Sequence, residues 1–310
     1  TNIFRMKLYL KMRKKLFFVF SLCFLFQNNG ISNSYRLIQP DTLNKKRLVL
    51  VSSSKIALAS TSFIVLNELW YSKYPKTKFH TFNDSKEWLQ MDKVGHSTTS
   101  YYLGYLSYEI FKWTGLENKK SILIGGATGL MYMSVLEFMD GFFDEWGFSI
   151  TDMSSNFAGT GLFVAQQFLW DEQRIKLKFS FHQSGLAHYR PELLGDNLNE
   201  QILKDYNGQT YWLSFNLNSF LKTNFIPNWL NLALGYGANG MLTGKDDNLL
   251  FPNQDRYRQF YLSFDIDLTR IKTNSNLLKT LFSVFNTIKV PMPTLEFNGK
   301  NDLKAYYIYF

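Results

Sequence analysis

An α+β chain is predicted: an N-terminal four-helix bundle followed by a C-terminal antiparallel β-sheet or an incomplete outer-membrane-type β-barrel. Three observations predict it. A basic stretch and a short apolar run open the chain. Apolar residues then recur at helical spacing from residue 48 to residue 170, and after Arg174 the period drops to two.

The opening segment also accounts for the charge. The chain has 310 residues, 34 basic against 25 acidic, a formal net charge of +9. Six of the basic residues are Arg5, Lys7, Lys11, Arg13, Lys14 and Lys15, with no acid among them. The apolar run Leu16 to Phe26 follows, then Gln27, Asn28, Asn29 and Gly30. That order reads as a secretory signal peptide over 1–32, with Met6 or Met12 as the start. The run is too short for a spanning helix, which needs about 20 residues. Cys23 follows Leu22 rather than a small residue and reads as part of the apolar run, not as a lipidation site. Removing this segment leaves 28 basic against 25 acidic residues, so the charge does not point to nucleic acid. With 45% hydrophobic and 17% aromatic residues the chain is not disordered. One cysteine excludes a disulfide scaffold and a thiolate zinc site.

The helical region is expected over 41–171. Leu48 to Trp70 is apolar apart from a few interruptions, and Tyr101, Tyr105, Tyr108 and Phe111 recur at helical spacing in the next run. Ser121 to Met139 carries Gly125 and Gly129, spaced for close helix contact in a bilayer or in a soluble bundle. Ser155 to Trp170 is the fourth run, and Gly115 and Gly147 sit between runs, where helices end.

The β region is expected over 174–310. Ile175, Leu177, Phe179 and Phe181 alternate with polar residues, as do Leu213, Phe215 and Leu217, then Leu230 to Tyr236, then Phe260 to Leu268. The chain ends on an alternating aromatic strand, Leu303 to Phe310, which resembles the C-terminal signal of outer-membrane barrels. About six strands are expected, fewer than the ~8 of the smallest closed bacterial barrels. Leu277, Leu278, Leu281, Phe282 and Phe285 instead mark a short amphipathic helix. The plain alternative is a soluble sheet with one wet face.

The chemistry-bearing residues gather in the helical half. Asp92 and His96 lie four apart, on one helical face. Glu137 and Asp140 close the third helix, and Asp152 precedes or opens the fourth. If they act in catalysis, Asp92, His96, Glu137, Asp140 and Asp152 would surround a water or a divalent metal, with His96, Glu137 and Asp140 as its candidate ligands. The structural reading is favoured. In it Asp92 and Asp152 are helix caps, Lys93 neutralises Glu137, and His96 is a hydrogen-bonded core histidine. No G-x-G-x-x-G, Walker or G-x-S-x-G motif occurs, so neither a nucleotide nor an α/β-hydrolase is indicated.

Asp92-Lys93-Val94-Gly95-His96, then Glu137, Asp152 and Asn156-Phe157-Ala158-Gly159, resemble the YfiM-like family of predicted periplasmic lipoproteins, a domain of unknown function. With Trp70-Tyr71 and His80 ahead and a sheet behind, the chain is similar to the long Bacteroidetes form, over about residues 45 to 170. The opening Asp92-Lys93-x-x-His96 is also similar to VanZ-like membrane proteins. The resemblance implies an envelope location and an acidic/His helical core, and it implies no reaction.

The expected protein is exported and sits in or at the periplasmic side of the outer membrane. Its role is structural or accessory, its partners are membrane lipid and other envelope proteins, and no cofactor is expected. The rivals are a membrane-proximal hydrolase acting on a lipid-linked phosphate and a small transport or binding barrel. The barrel requires a closed wall and a polar lumen.

Overall fold

A computed structural model describes residues 42–69, 71–245, 255–300 and 302–310; the expected signal peptide and Cys23 lie outside them. Helix α1 (Lys45–Leu69) leads to a 3-10 turn at Tyr71–Lys73. The bundle continues with α2 (Met91–Trp113), α3 (Asn118–Asp140) and α4 (Ile150–Trp170). Helix α2 packs against both α3 and α4 at very short range. A Cβ at Gly129 would lie 2.4 Å from the Ser100 carbonyl oxygen, and one at Gly159 would lie 1.9 Å from that of Ser97. These two glycines therefore set the interhelical distance, and side chains fill what remains: Tyr101, Tyr108, Ile122 and Phe163 form the bundle core. Helices α1, over Lys45–Glu68, and α3 are each long and apolar enough to cross a membrane.

Six antiparallel strands follow, paired in sequence order. They are β1 (Ile175–Phe181), β2 (Gln209–Asn216), β3 (Leu230–Asn239), β4 (Tyr257–Ile266), β5 (Met292–Asn298) and β6 (Leu303–Tyr309). Short helices α5 (Pro191–Leu194) and α6 (Leu198–Lys204) link β1 to β2, and α7 (Leu217–Leu221) follows β2. The amphipathic helix expected after β4 is α8, Asn276–Phe285, capped by Ser275. The alternation expected to continue through Leu217 stops at Asn216, whose side chain accepts from the Ser219 amide and starts α7. Strand β5 was not singled out by its alternation, since Pro291 and Pro293 interrupt its start.

Among the described residues the sheet is open: β1 and β6 do not pair, and the outer edge of β1 is met by a short bridge from Phe179 to Ile288, by Tyr102 at the Leu177 carbonyl and by Gln166 at Ile175. This overturns the transport-barrel expectation, because there is no closed wall around a lumen. The inward face is filled instead. Trp212, Tyr261 and Lys178 are all buried there, and the Tyr309 hydroxyl donates to that of Tyr261 at 2.8 Å.

The buried face is the polar one, the arrangement expected of the outer-membrane-type sheet and not of the soluble alternative. The polar positions of the strands, Lys176, Lys178, Ser214, Asn231, Asp265 and Glu296, point inward and are buried. Lys178 Nζ lies 2.7 Å from Asp265, and Lys176 Nζ lies 2.9 Å from Asp267. The apolar positions Leu213, Leu234, Phe260, Phe264, Leu295 and Phe297 point outward and are exposed. A water-soluble sheet with one wet face would have the opposite polarity.

Candidate functional site

The site forms where two loops and three helices meet. The loop before α2 pairs with the loop between α3 and α4: the Phe82 amide donates to the Phe148 carbonyl and the Phe148 amide to that of His80, both at 3.0 Å. That pairing lays Asp84 against Ser149. The Ser149 hydroxyl donates to Asp84 at 2.6 Å, as does the Thr151 hydroxyl at 2.7 Å. Ser149 is also the N-cap of α4, its oxygen accepting from the Asp152 amide at 3.0 Å.

Lys93 is at the centre. Its ammonium lies 2.5 Å from Asp84, 3.1 Å from Asp92 and 2.8 Å from Asp152, and it is buried. The expected Lys93–Glu137 pair does not form, because Lys93 faces this carboxylate trio. Glu137 accepts instead from the Ser149 amide at 3.1 Å and approaches His96 Nε2 at 3.7 Å. His96 Nε2 is also 3.7 Å from Asp92, while its Nδ1 meets Asn156 Oδ1 at 3.2 Å. Asp140 is not part of this group: it accepts from the Tyr71 hydroxyl at 2.6 Å. The structure thus joins Asp92, His96, Glu137 and Asp152 and turns Asp140 away. The compact ligand-capable trio is Asp92, His96 and Asp152, with ligand atoms within 4.8 Å of one another. That set differs from His96, Glu137 and Asp140. Neither aspartate is the expected cap: α2 is preceded by Gln90 with no side-chain cap, and α4 is capped by Ser149.

Sequence reasoning missed Asp84, Ser149, Thr151, Tyr71 and Tyr206. Tyr206 comes from the loop before β2 and donates to Asp92 at 2.8 Å, tying bundle to sheet. The start of α2 is clamped from the same side. Trp88, Leu89 and Gln90 are all left-handed, with φ of 48°, 49° and 66°. Such residues cost roughly 1 kcal/mol or more each and persist only where their surroundings hold them. Here the Trp88 amide donates to the Gly244 carbonyl at 2.9 Å, Tyr236 donates to the Leu89 carbonyl, and Arg258 holds the Gln90 side chain.

Electrostatics divide the carboxylates. Burial alone would raise the pKa of Asp84 and Asp92. At Asp84 hydrogen bonds from Asp152, Lys93, Ser149 and Thr151 overcome it; at Asp92 the charges of His96 and Lys93 and the Tyr206 hydroxyl do so. Both lie below the ordinary aspartate range. Asp152 is pushed up to about 10, by burial first, then by the Asp92 charge and the proton it shares with Asp84. Lys93 is opposed by burial but held above its ordinary value by Asp92 and Asp152.

A pH dependence follows. An acid whose native pKa is raised binds its proton in the fold and releases it on unfolding, so stability falls as pH rises between the two values. For Asp152 that window runs from about 4, the unfolded value, to about 10. Asp152→Asn is therefore expected to flatten the loss of stability between pH 6 and pH 9 and to be at least as stable as the parent at pH 8, read by denaturant unfolding across pH. Asp84 and Asp92 act oppositely: their contribution is present above about pH 4 and is lost on acidification.

Residues 80–167 match the model of a family described as predicted periplasmic lipoprotein (DUF2279). The match begins at His80, so it is shorter than the resemblance expected from residue 45 and leaves α1 and the sheet outside. It contains Asp84, Lys93, His96, Glu137 and Asp152. This agrees with an exported protein on the periplasmic side of the bacterial envelope, and it carries no statement about catalysis. No curated protein and no solved structure matches the chain.

Proposed function

We propose that the protein is a non-catalytic, membrane-associated accessory or structural protein of the outer membrane of a Gram-negative envelope, a long form of the YfiM-like group. In this reading the ring around Lys93 is a structural joint that fixes the helical bundle to the sheet. One observation carries it: each candidate carboxylate already has a partner. Lys93 engages two of them, Asp92 and Asp152, together with Asp84, while the Ser149 amide donates to Glu137 and the Tyr71 hydroxyl to Asp140. A buried lysine occupying the middle of a carboxylate cluster supplies the positive charge that a divalent ion would otherwise bring. Membrane association is supported by the inverted sheet, apolar outside and polar inside, beside two helices of spanning length.

The rival is a hydrolase on a lipid-linked phosphate. It is favoured by the partial exposure of Asp92 and His96, whose side chains are 24% and 17% accessible. One variant separates the readings. His96→Ala/Glu137→Ala is expected to lose about 2–3 kcal/mol of stability, the cost of leaving buried hydrogen-bonding groups without partners. Unchanged unfolding together with a lost hydrolytic activity would instead select the enzyme. For location, the native protein is expected to stay with the outer-membrane pellet after a carbonate wash, and full release would contradict membrane insertion.

A further inference from the structure

At the far end of the sheet from the Lys93 ring, an open groove of about 390 Å³ is lined by Arg174, Arg270, Lys222, Glu172, Asn218 and Asn228, among others. These residues come from the turn between α4 and β1, from α7 and its cap, from the approach to β3 and from the turn after β4. Glu172 is shared by both guanidiniums, 2.7 Å from Arg174 and 3.0 Å from Arg270. Arg270 also pairs with Asp267 at 3.3 Å, so of the three cations lining the groove only Lys222 has no carboxylate beside it. Arg174 is held by stacking over Trp170 at 4.8 Å and Phe220 at 5.8 Å, so its fork is pre-positioned. Lys222 is exposed and has no partner among the described residues. It sits at the αL cap of α7, φ 51°, a conformation a lysine adopts only at a cost.

Apolar side chains adjoin the groove residues in the chain: Phe220 and Leu221 between Ser219 and Lys222, and Trp229 after Asn228, are exposed, and Phe225 between Lys222 and Asn228 is 96% exposed. One unpaired cation, Lys222, beside two arginines that share carboxylates, with exposed aromatic and aliphatic side chains next to them in the chain, matches one chemistry: a phosphodiester with acyl chains attached. Aromatic residues so placed settle at the level of lipid headgroups, and basic side chains beside them attract anionic lipid. An acidic protein surface would use the cations but leave Phe225 in water. We infer that this groove is a binding site for the headgroup of an anionic phospholipid. The inference rests on the membrane association proposed above.

The test uses the full chain in a neutral detergent, titrated separately with dihexanoyl phosphatidylglycerol, dihexanoyl phosphatidylcholine and inorganic phosphate. Saturable binding of the anionic lipid is expected, at least tenfold tighter than the zwitterionic one and weakened by added salt. Lys222→Asn keeps the αL cap and removes the charge, and it is expected to weaken that binding about fivefold, the contribution of one basic residue near anionic headgroups. Phe225→Ser, at a fully exposed position, is expected to weaken lipid binding while leaving phosphate binding unchanged. Equal affinity for the two lipids overturns the proposal, as does anionic-lipid binding insensitive to both variants. Phosphate bound as tightly as the anionic lipid would make the groove a soluble-anion site and also overturns it. The carbonate wash tests membrane association separately, so the two readings can fail independently.

Discussion

Lys93→Met is expected to cost about 3–5 kcal/mol, because it removes the cation that buried Asp84 and partly exposed Asp92 share and leaves both carboxylates without it. The methionine matches the lysine stem in length, so lost packing contributes little. Lys93 is itself one of the groups that hold Asp84 and Asp92 below the ordinary aspartate range, so without it both shift up, and any proton they take up at neutral pH returns part of that cost. Asp152 already holds one. For a chain of this length the loss corresponds to a fall in Tm on the order of 10 °C, measurable by circular dichroism in detergent. The effect is expected to reach the sheet as well as the bundle. Asp92 accepts from Tyr206, and the turn at Trp88 to Gln90 is clamped by Gly244, Tyr236 and Arg258. A change in the near-ultraviolet signal from the sheet tryptophan Trp212, ahead of global unfolding, would mark that coupling.

Two glycines on α4 should respond in opposite directions to the same substitution. Gly159→Ala places a methyl 1.9 Å from the Ser97 carbonyl oxygen and 2.4 Å from the Ser100 hydroxyl. The obstruction is backbone, so α2 and α4 must move apart, at a cost of about 3 kcal/mol or more. Gly161→Ala meets nothing within 4 Å. There the change only removes glycine's excess freedom in the unfolded chain, and it is expected to stabilise by about 0.5–1 kcal/mol. Thermal unfolding of the two single variants, two residues apart on one helix, separates close packing from intrinsic helix propensity. Equal shifts would mean that α2 and α4 are not in contact through Gly159.

Much of the architecture was legible in the sequence because periodicity is local. The switch from helical to strand spacing at Arg174, the helix at Leu277 to Phe285 and the glycine spacing of α3 all follow from neighbours in the chain. Whether the sheet closed was not legible, since closure depends on strands far apart in sequence. Its polarity followed from the outer-membrane-type reading and not from alternation itself, which says only that Phe260 and Tyr261 face opposite sides. The site was half legible. Asp92, His96, Glu137 and Asp152 do meet, because helical spacing and helix ends place them near one another. Asp84 and Tyr206 sit in loops with no period, and they join only through the pairing of residues 80–82 with 148 and the docking of the sheet on α2. Lys93 was assigned the wrong partner for the same reason. Asp84, the ligand that draws its ammonium toward the α4 cap, comes from one of those loops.

The central claim is that the Lys93 ring is structural, and a charge rescue tests it most directly. The free energies of unfolding of the parent, of Lys93→Met, and of Lys93→Met combined with Asp84→Asn and Asp92→Asn are compared in one detergent at pH 7. If the penalty is unpaired buried charge, neutralising the two ionised carboxylates is expected to restore at least half of what Lys93→Met removes. A Lys93→Met protein as stable as the parent, or a triple variant no more stable than the single one, would contradict the account.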